Sequence, residues 1–279
     1  MIIWLASFPK SGNTWLWSII SSLVYSEDGI FNFNLNKKIK QFPSKQYFSE
    51  FTKEFNNIHE IKKYWILAQD KINLDNQVKL FKTHHINCTI DGHSFTNKEN
   101  TAATIYIVRD PRNLVNSISN HFSKTINEAK DFILRTNIIG MNKQNALDNS
   151  FATIVGSWKE HYHYWTKKND ELLLLRYEDI LSNPEEELKK IIKFLNKFIK
   201  LQTNKDKEKN IINTTSFQSL KKMEEKGYFT ENDFDKISNK KINFFNQGPN
   251  NNWQNNLNSE IKIEIEKNLE TEMRELFYI

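Results

Sequence analysis

The stretch IIWLASFPKSGNTW, residues 2–15, joins an apolar run to the start of an amphipathic run. Residues 2–6 are apolar and partly β-branched, which is typical of a strand buried on both faces of a sheet. From Trp15 to Val24 apolar side chains recur at helical spacing, which predicts a helix. A helix that begins at this loop directs unpaired N–H groups and the positive end of its dipole at it. The junction therefore predicts an anion-binding site.

The loop differs from the phosphate loop of nucleoside triphosphatases. That motif places its lysine directly after its second glycine. Here Lys10 precedes Gly12, and neither residue 5 nor residue 6 is glycine. An anion at this loop would meet the Lys10 ammonium and the helix N–H groups, with the Thr14 hydroxyl as a further donor.

A second strand–helix junction carries another cation. Residues 104–108 predict a strand that runs into Arg109, and Pro111 suits the first turn of a following helix. In open α/β sheets, ligands bind outside the carboxyl ends of the strands. Arg109 and the Lys10 loop are therefore expected on one rim of the sheet.

Residues 78–84, VKLFKTH, predict a third strand. Because side chains alternate along a strand, Lys82 and His84 share a face at its end, and His85 points to the opposite side.

The segment SFPKSGNTW, residues 7–15, resembles the 5'-phosphosulfate loop of the sulfotransferases that use 3'-phosphoadenosine 5'-phosphosulfate (PAPS). Ser117 follows Arg109 by eight positions, which is the interval in that family's 3'-phosphate signature. The resemblance implies that Lys10 neutralises the bridging oxygen of the leaving nucleotide, and that Arg109 and Ser117 bind the 3'-phosphate. The donor loop that it implies consists of Lys10, Ser11, Gly12, Asn13, Thr14 and Trp15.

Residues 82–84, Lys-Thr-His, match the small-molecule members of the same family. By that match His84 is the general base that removes the acceptor's proton, and Lys82 steadies the sulfuryl oxygens. An imidazole with an ordinary pKa of about 6.5 is mostly unprotonated at neutral pH and suits this role. The family transfers the group in one in-line step without a metal. We therefore expect PAPS as cosubstrate, 3',5'-adenosine bisphosphate (PAP) as product, and no metal.

Later segments resemble the family's contacts to adenine and to the 3'-phosphate. Tyr177 and the segment of residues 215–217 match the family's adenine contacts. Trp15 would stack on the other side of the base. Where the family has Arg-Lys-Gly, this chain has Asn246, Gln247 and Gly248. Neutral amides bind phosphate less strongly than cations do, so weaker 3'-phosphate binding is expected unless Lys240 or Lys241 reaches the phosphate. The nucleotide contacts implied here are Tyr177, Thr215, Phe217, Asn246, Gln247 and Gly248.

These elements predict an α/β fold. We expect a single P-loop-like domain over residues 1–279, with a central, mostly parallel sheet flanked by helices on both faces. Residues 26–77 show no parallel-sheet pattern. Helices are expected over residues 58–71, 153–168 and 259–277. Residues 123–150 are polar and predict a mobile lid or an acceptor loop.

The composition of the chain constrains its location and partners less strongly than the motifs constrain its function. The chain has 279 residues, 38% of them hydrophobic, a formal net charge of +5 that suits an anionic donor, and one cysteine, Cys88. The first residues lack the basic start of a secretory signal, and no apolar run approaches the ~18 to 20 residues of a membrane span. We therefore expect a cytoplasmic protein with no membrane span and no nucleic-acid partner.

The sequence thus predicts transfer of a sulfuryl group from PAPS to a hydroxyl or amine group of a small acceptor. The resemblance leaves a homodimer open. One alternative is a kinase-like phosphotransferase using Mg-ATP, which needs a magnesium-binding carboxylate at a strand end, with Asp110 and Asp179 as candidates. The other is a catalytically silent nucleotide-binding protein, which would be consistent with the neutral Asn246 and Gln247.

Overall fold

The computed structural model describes residues 1–140, 151–167, 171–229, 233–234 and 241–279. The strands are β1 Ile2–Ala6, β2 Lys40–Gln41, β3 Lys79–Thr83, β4 Thr89–Ile90, β5 His93–Ser94, β6 Thr101–Val108, β7 Ile138–Ile139, β8 Thr153–Ile154, β9 Leu172–Arg176, β10 Asp233–Phe234 and β11 Lys241–Ile242. The α-helices are α1 Asn13–Tyr25, α2 Phe33–Asn36, α3 Lys45–Phe48, α4 Ile58–Ile61, α5 Trp65–Ile72, α6 Pro111–Phe122, α7 Ile126–Leu134, α8 Trp158–Thr166, α9 Tyr177–Ser182, α10 Pro184–Leu195, α11 Lys205–Thr214, α12 Phe217–Glu225, α13 Trp253–Asn256, α14 Ser259–Asn268 and α15 Glu270–Glu275.

Five strands form one sheet in the order β2-β3-β1-β6-β9, and every neighbouring pair in it is parallel. Alternation along β1 sends Ile3 and Leu5 to one face, where they pack with α1, α10 and α11. Ile2 and Trp4 point to the other face and pack with α5, α6 and α8. The predicted central parallel sheet with helices on both faces is confirmed.

The register of the sheet brings four strand ends to one rim. Ala6 at the end of β1 lies beside Thr83 of β3 and Tyr106 of β6, and Val108 lies beside Arg176 of β9. The loops that follow these strands therefore meet at the carboxyl edge, as the sequence predicted.

Strand β2 was not expected, because residues 26–77 show no parallel-sheet pattern. It adds two exposed residues at the edge beside β3, and the backbone N–H of Phe42 donates to the carbonyl of Lys82 over 3.0 Å. A two-residue edge strand is too short to leave a periodic signal. The helix predicted over 58–71 is formed by α4, a 3₁₀ turn at Lys62–Tyr64 and α5.

The helix predicted over residues 153–168 begins later than expected. Thr153 and Ile154 pair instead with β7, and α8 begins at Trp158. Ser157 and Glu160 form a capping box there: Glu160 N–H donates to Ser157 Oγ over 3.2 Å, and Ser157 N–H donates to the Glu160 carboxylate over 2.7 Å.

The helix predicted over 259–277 is divided into α14 and α15. Leu269 separates them with backbone angles φ −118° and ψ 17°, and its side chain is buried in the core. Of the region predicted as a lid, residues 126–134 form α7, whose Phe132 ring contacts Phe122 of α6, whereas residues 141–150 lie outside the described part of the chain. Among the described residues, no helix has the length and apolarity needed to cross a bilayer.

Candidate active site

A cavity of about 430 Å³ lies at the carboxyl rim. It extends from Lys10, after β1, to Arg109, after β6, and it includes His84, after β3. One cavity therefore joins the two cations that the sequence placed on the same rim. The predicted site residues that line it are Lys10, Gly12, Asn13, Thr14, Trp15, Lys82, His84, Arg109, Ser117, Tyr177, Phe217, Asn246, Gln247 and Gly248.

The loop after β1 is held in a conformation that suits anion binding. Gly12 has φ +102°, and a Cβ atom there would lie 2.7 Å from the Tyr177 ring. The buried Asn13 amide donates to the Leu5 carbonyl over 3.1 Å and to Ser7 Oγ over 3.0 Å, which ties the loop to β1. No side chain caps the start of α1, so its first N–H groups remain available to a ligand in the cavity.

Two lysines that line the cavity hold their ammonium groups against aromatic rings. Lys10 Nζ is 3.8 Å from the centroid of the Phe244 ring, and Lys82 Nζ is 3.8 Å from that of Trp17. Cation–π contacts of this kind hold a charge in place without neutralising it. Both charges therefore contribute to a positive potential at the site.

His84 lies half-buried at the cavity wall. Its Nδ1 is 2.9 Å from the carbonyl oxygen of Ser7, which can only accept a hydrogen bond, so Nδ1 carries the hydrogen. The unprotonated nitrogen is then Nε2. Burial is the largest effect on the pKa of His84 and lowers it, the Ser7 bond opposes this, and the charges of Lys82 and Lys10 add to the lowering. Together these effects bring the pKa from 6.5 to about 4. His84 is therefore neutral at pH 7.

His85 occupies a different environment, as strand alternation predicts. It is buried, its Nδ1 donates to the carbonyl of Ile86 over 2.7 Å, and its ring stacks on Phe95 at 4.2 Å. It does not line the cavity.

Arg109 presents a largely desolvated cation. Its guanidinium lies 4.1 Å from the centroid of the Tyr177 ring, and Nη1 is 3.5 Å from the carbonyl of Lys10. Its Nε is buried without a hydrogen-bond partner among the described residues. An anion bound beside Arg109 would supply acceptors to this guanidinium, so the residue fits a phosphate ligand.

Trp15 and Tyr177 meet edge to face at 5.2 Å, and Phe217 also lines the cavity. The buried Trp15 Nε1 has no partner in the described part of the chain. Two predicted contacts lie outside this cavity. Ser11 is fully buried, and the Thr215 hydroxyl, 1% exposed, donates to the carbonyl of Ile211 over 2.7 Å.

The segment that departs from the family signature lines the cavity with neutral groups. Asn246 and Gln247 both face it. Gly248 has φ +53°, and a Cβ atom there would lie 2.2 Å from the Phe217 ring. Glycine therefore allows this segment to approach the aromatic wall closely.

Sequence reasoning missed several cavity residues on α6. Asn116, Asn120 and His121 line the cavity with Ser117. Burial, together with the positive charge of Lys10, lowers the pKa of His121 to about 3. The i, i+4 spacing of Ser117 and His121 is the signal that could have found it.

A buried pair of side chains behind the cavity was also missed. The Tyr106 hydroxyl is 2.9 Å from His161 Nδ1, and His161 Nε2 is 3.2 Å from the carbonyl oxygen of His84. Because that carbonyl accepts, Nε2 donates, and Nδ1 accepts from Tyr106. Burial lowers the pKa of His161 to about 3, so the ring stays neutral and holds the backbone of His84.

The carboxylates considered for magnesium lie elsewhere. Asp110 caps α6 and binds the buried Arg112 guanidinium over 2.7 Å, whereas Asp179 lies 3.7 Å from Arg176. Neither lines the cavity. Within the described ranges, no group of three or more His, Cys, Asp or Glu residues could hold a metal ion.

The family model of the sulfotransferase domain matches residues 2–277. The chain therefore belongs to the sulfotransferase domain family, which confirms the resemblance seen in the sequence. Its class is that of the transferases that use PAPS as sulfuryl donor.

Individual relatives agree with this assignment. Sulfotransferase 1B1 of Mus musculus is 28% identical over 222 residues, and the match covers 78% of this chain but only 64% of the mouse protein. Sulfotransferase 1E1 of Homo sapiens is 25% identical over 284 residues, covering 97% of this chain and 83% of the human protein. The crystal structure of mouse sulfotransferase SULT7A1 complexed with PAP superimposes with a TM-score of 0.60 at 20% identity, covering 98% of this chain and 84% of that one. That likeness shows a shared fold.

Proposed function

We propose that this chain transfers the sulfuryl group of PAPS to the hydroxyl group of a small acceptor, with His84 as the general base. The observation that carries the proposal is the single cavity that is lined by the Lys10 loop, by Arg109 and by the neutral imidazole of His84.

The donor would bind along the rim. The N-terminus of α1 and Lys10 would hold the 5'-phosphosulfate, and Arg109 with Ser117 would hold the 3'-phosphate. Trp15 and Phe217 would enclose the adenine. The buried nitrogens of Arg109 and Trp15, which have no partner among the residues that the structure describes, and the close fit around Gly12 support this placement.

Each side chain near the reacting atoms has a distinct task. His84 Nε2 accepts the proton of the acceptor hydroxyl as its oxygen bonds to sulfur. The bond between sulfur and the bridging oxygen of the nucleotide breaks, and the charge that develops on that oxygen is stabilised by Lys10. Lys82 interacts with the sulfuryl oxygens. No covalent enzyme intermediate is needed.

The cavity favours a hydroxyl over a protonated amine. Among its described lining residues there is no carboxylate, whereas Lys10, Lys82 and Arg109 are cationic. An ammonium acceptor would therefore be repelled, and an uncharged alcohol or phenol would not.

The test uses labelled donor. The chain is incubated with PAPS carrying ³⁵S and a panel of phenols, alcohols and amines, and transfer is compared with that of His84→Ala. Transfer that is lost in His84→Ala while PAP still binds supports the proposal, and equal transfer by both proteins contradicts the role of His84. A thermal shift with PAP in the absence of magnesium separates this reading from the kinase alternative, which requires a response to Mg-ATP only.

Three further proposals concern the number of domains, the location of the protein and its oligomeric state. The single domain is supported by the one sheet whose two faces carry the main cores. A cytoplasmic location is consistent with the one buried cysteine, Cys88. The homodimer rests on the family resemblance, and sedimentation of the purified chain tests it.

A further inference from the structure

Ser117 is held by a residue that the sequence did not single out. The side-chain nitrogen of Asn251 is 2.6 Å from the backbone carbonyl of Asn113 and 3.0 Å from Ser117 Oγ. Asn251 is 5% exposed and does not line the cavity, whereas Ser117 does. Asn251 therefore acts on the site from behind Ser117.

The chemistry of these partners fixes the direction of the hydrogen bonds. A backbone carbonyl can only accept, so the atom of the Asn251 amide that faces Asn113 is the nitrogen. The same nitrogen then donates to Ser117 Oγ. A hydroxyl that accepts on one lone pair keeps its hydrogen for another partner. Within the described part of the chain, no acceptor for the Ser117 hydrogen is found.

The position of Asn251 is itself determined by contacts to α6. The backbone N–H of Trp253 donates to the side-chain oxygen of Asn113 over 2.9 Å, and the Arg112 guanidinium lies 3.9 Å from the Trp253 ring centroid. Asn113 thus holds this segment with both its backbone and its side chain. The neutral residues Asn246 and Gln247 come just before this anchor.

We propose that Asn251 is a positioning residue of the 3'-phosphate subsite, which turns the hydrogen of the Ser117 hydroxyl toward the 3'-phosphate of the donor. This inference rests on the donor placement proposed above. A hydroxyl already oriented toward an anion loses less rotational freedom on binding than one that rotates. The orientation of the Ser117 hydroxyl contributes a larger share of the binding free energy where the neighbouring residues, Asn246 and Gln247, are uncharged.

The experiment compares two ligands that differ in the presence of the 3'-phosphate. Calorimetry measures the binding of PAP and of 5'-AMP, which lacks the 3'-phosphate, to the wild-type chain, Asn251→Ala, Ser117→Ala and the double variant. Asn252→Ala and Ser119→Ala are matched controls, because Asn252 bonds to Gln254 and Ser119 donates to the carbonyl of Lys124.

Loss of the charge-assisted bond in Ser117→Ala should weaken PAP binding about tenfold, and Asn251→Ala about fivefold. Binding of 5'-AMP should stay within about twofold, since it makes no such bond. The double variant should bind PAP no more weakly than Ser117→Ala, because Asn251 acts through Ser117. Both controls should match the wild type.

Equal losses for PAP and 5'-AMP in Asn251→Ala would assign the residue a structural role and overturn the inference. Losses that simply add in the double variant would also overturn it, because they would show independent action. A wild-type chain that binds 5'-AMP but gains nothing from the 3'-phosphate would contradict the donor placement itself.

Discussion

His84 donates from Nδ1 to the backbone carbonyl of Ser7 over 2.9 Å, so the candidate base is anchored on the loop that carries Lys10. From the other side, His161 donates to the carbonyl of His84 over 3.2 Å. Both the ring and the backbone of His84 are therefore held by neighbours. A base fixed in this way can face the acceptor and the donor loop at once, which is the positioning that group transfer requires.

The pH dependence of turnover should reflect the lowered pKa of His84. Because that pKa is about 4 rather than 6.5, the ring is unprotonated above pH 4 and gains a proton only as the pH falls through that value. We expect kcat/KM to stay constant from pH 8 down to about 5 and to fall below it. A decrease of kcat/KM centred near pH 6.5 would contradict the lowered pKa of His84. Samples returned to pH 7.5 control for acid unfolding.

Replacing Lys10 should impair the chemical step. Lys10→Met removes the charge placed to stabilise the leaving oxygen, and we expect kcat to fall by about 10² to 10³. Single-turnover transfer of labelled sulfate measures the step. Lys53→Met, which alters an exposed lysine that donates to the Ser49 carbonyl, is the control. Unchanged kcat in Lys10→Met would remove Lys10 from its proposed role.

Gly12 should not tolerate a side chain. In Gly12→Ala the new Cβ would lie 2.7 Å from the Tyr177 ring. The alanine would also have to adopt φ +102°, which is unfavourable for a residue with a side chain. We expect a loss of stability above about 1 kcal/mol and much weaker PAP binding. Gly92→Ala is a close control, because Gly92 has φ +81° but open space around it. Similar melting temperatures and PAP affinities in the two variants would argue against a clash at the donor loop.

A cation at position 247 should strengthen binding of the 3'-phosphate. Gln247→Lys places an ammonium on a segment that lines the cavity, and we expect PAP to bind about threefold to tenfold more tightly at low salt. Binding of 5'-AMP should change much less. Calorimetry at two salt concentrations measures both effects. No gain for PAP would show that this segment does not face the 3'-phosphate.

The Tyr106 hydroxyl should contribute to stability through His161. Tyr106→Phe leaves the buried Nδ1 of His161 without a donor, and we expect a decrease of about 1–2 kcal/mol in the free energy of unfolding. Urea denaturation measures it. In the control Tyr64→Phe, the lost bond to Glu60 is only partly buried, so a smaller decrease of about 0.5 kcal/mol is expected. Equal effects of the two variants would show that the buried hydrogen bond of Tyr106 contributes no more to the free energy of unfolding than that of Tyr64.

Much of the site could be predicted because the sequence patterns that identify it span only a few neighbouring residues. An apolar run, a short loop with Lys10 and a periodic helix identify a strand–helix junction, and the same pattern recurs at Arg109. Predictions failed where a neighbour distant in sequence decides the outcome. Pairing of Thr153 with Ile139 of β7 delays the start of α8.

The sequence by itself determined the parallel sheet, the rim on which the cations lie and the family of the chain, because periodicity and short motifs are properties of neighbouring residues. Only the tertiary structure decided which nitrogen of His84 is unprotonated and which side chain donates to the Ser117 hydroxyl. Those choices depend on hydrogen bonds to Ser7 and Asn251, partners that are 77 and 134 positions away in the chain and that only folding brings within 3 Å.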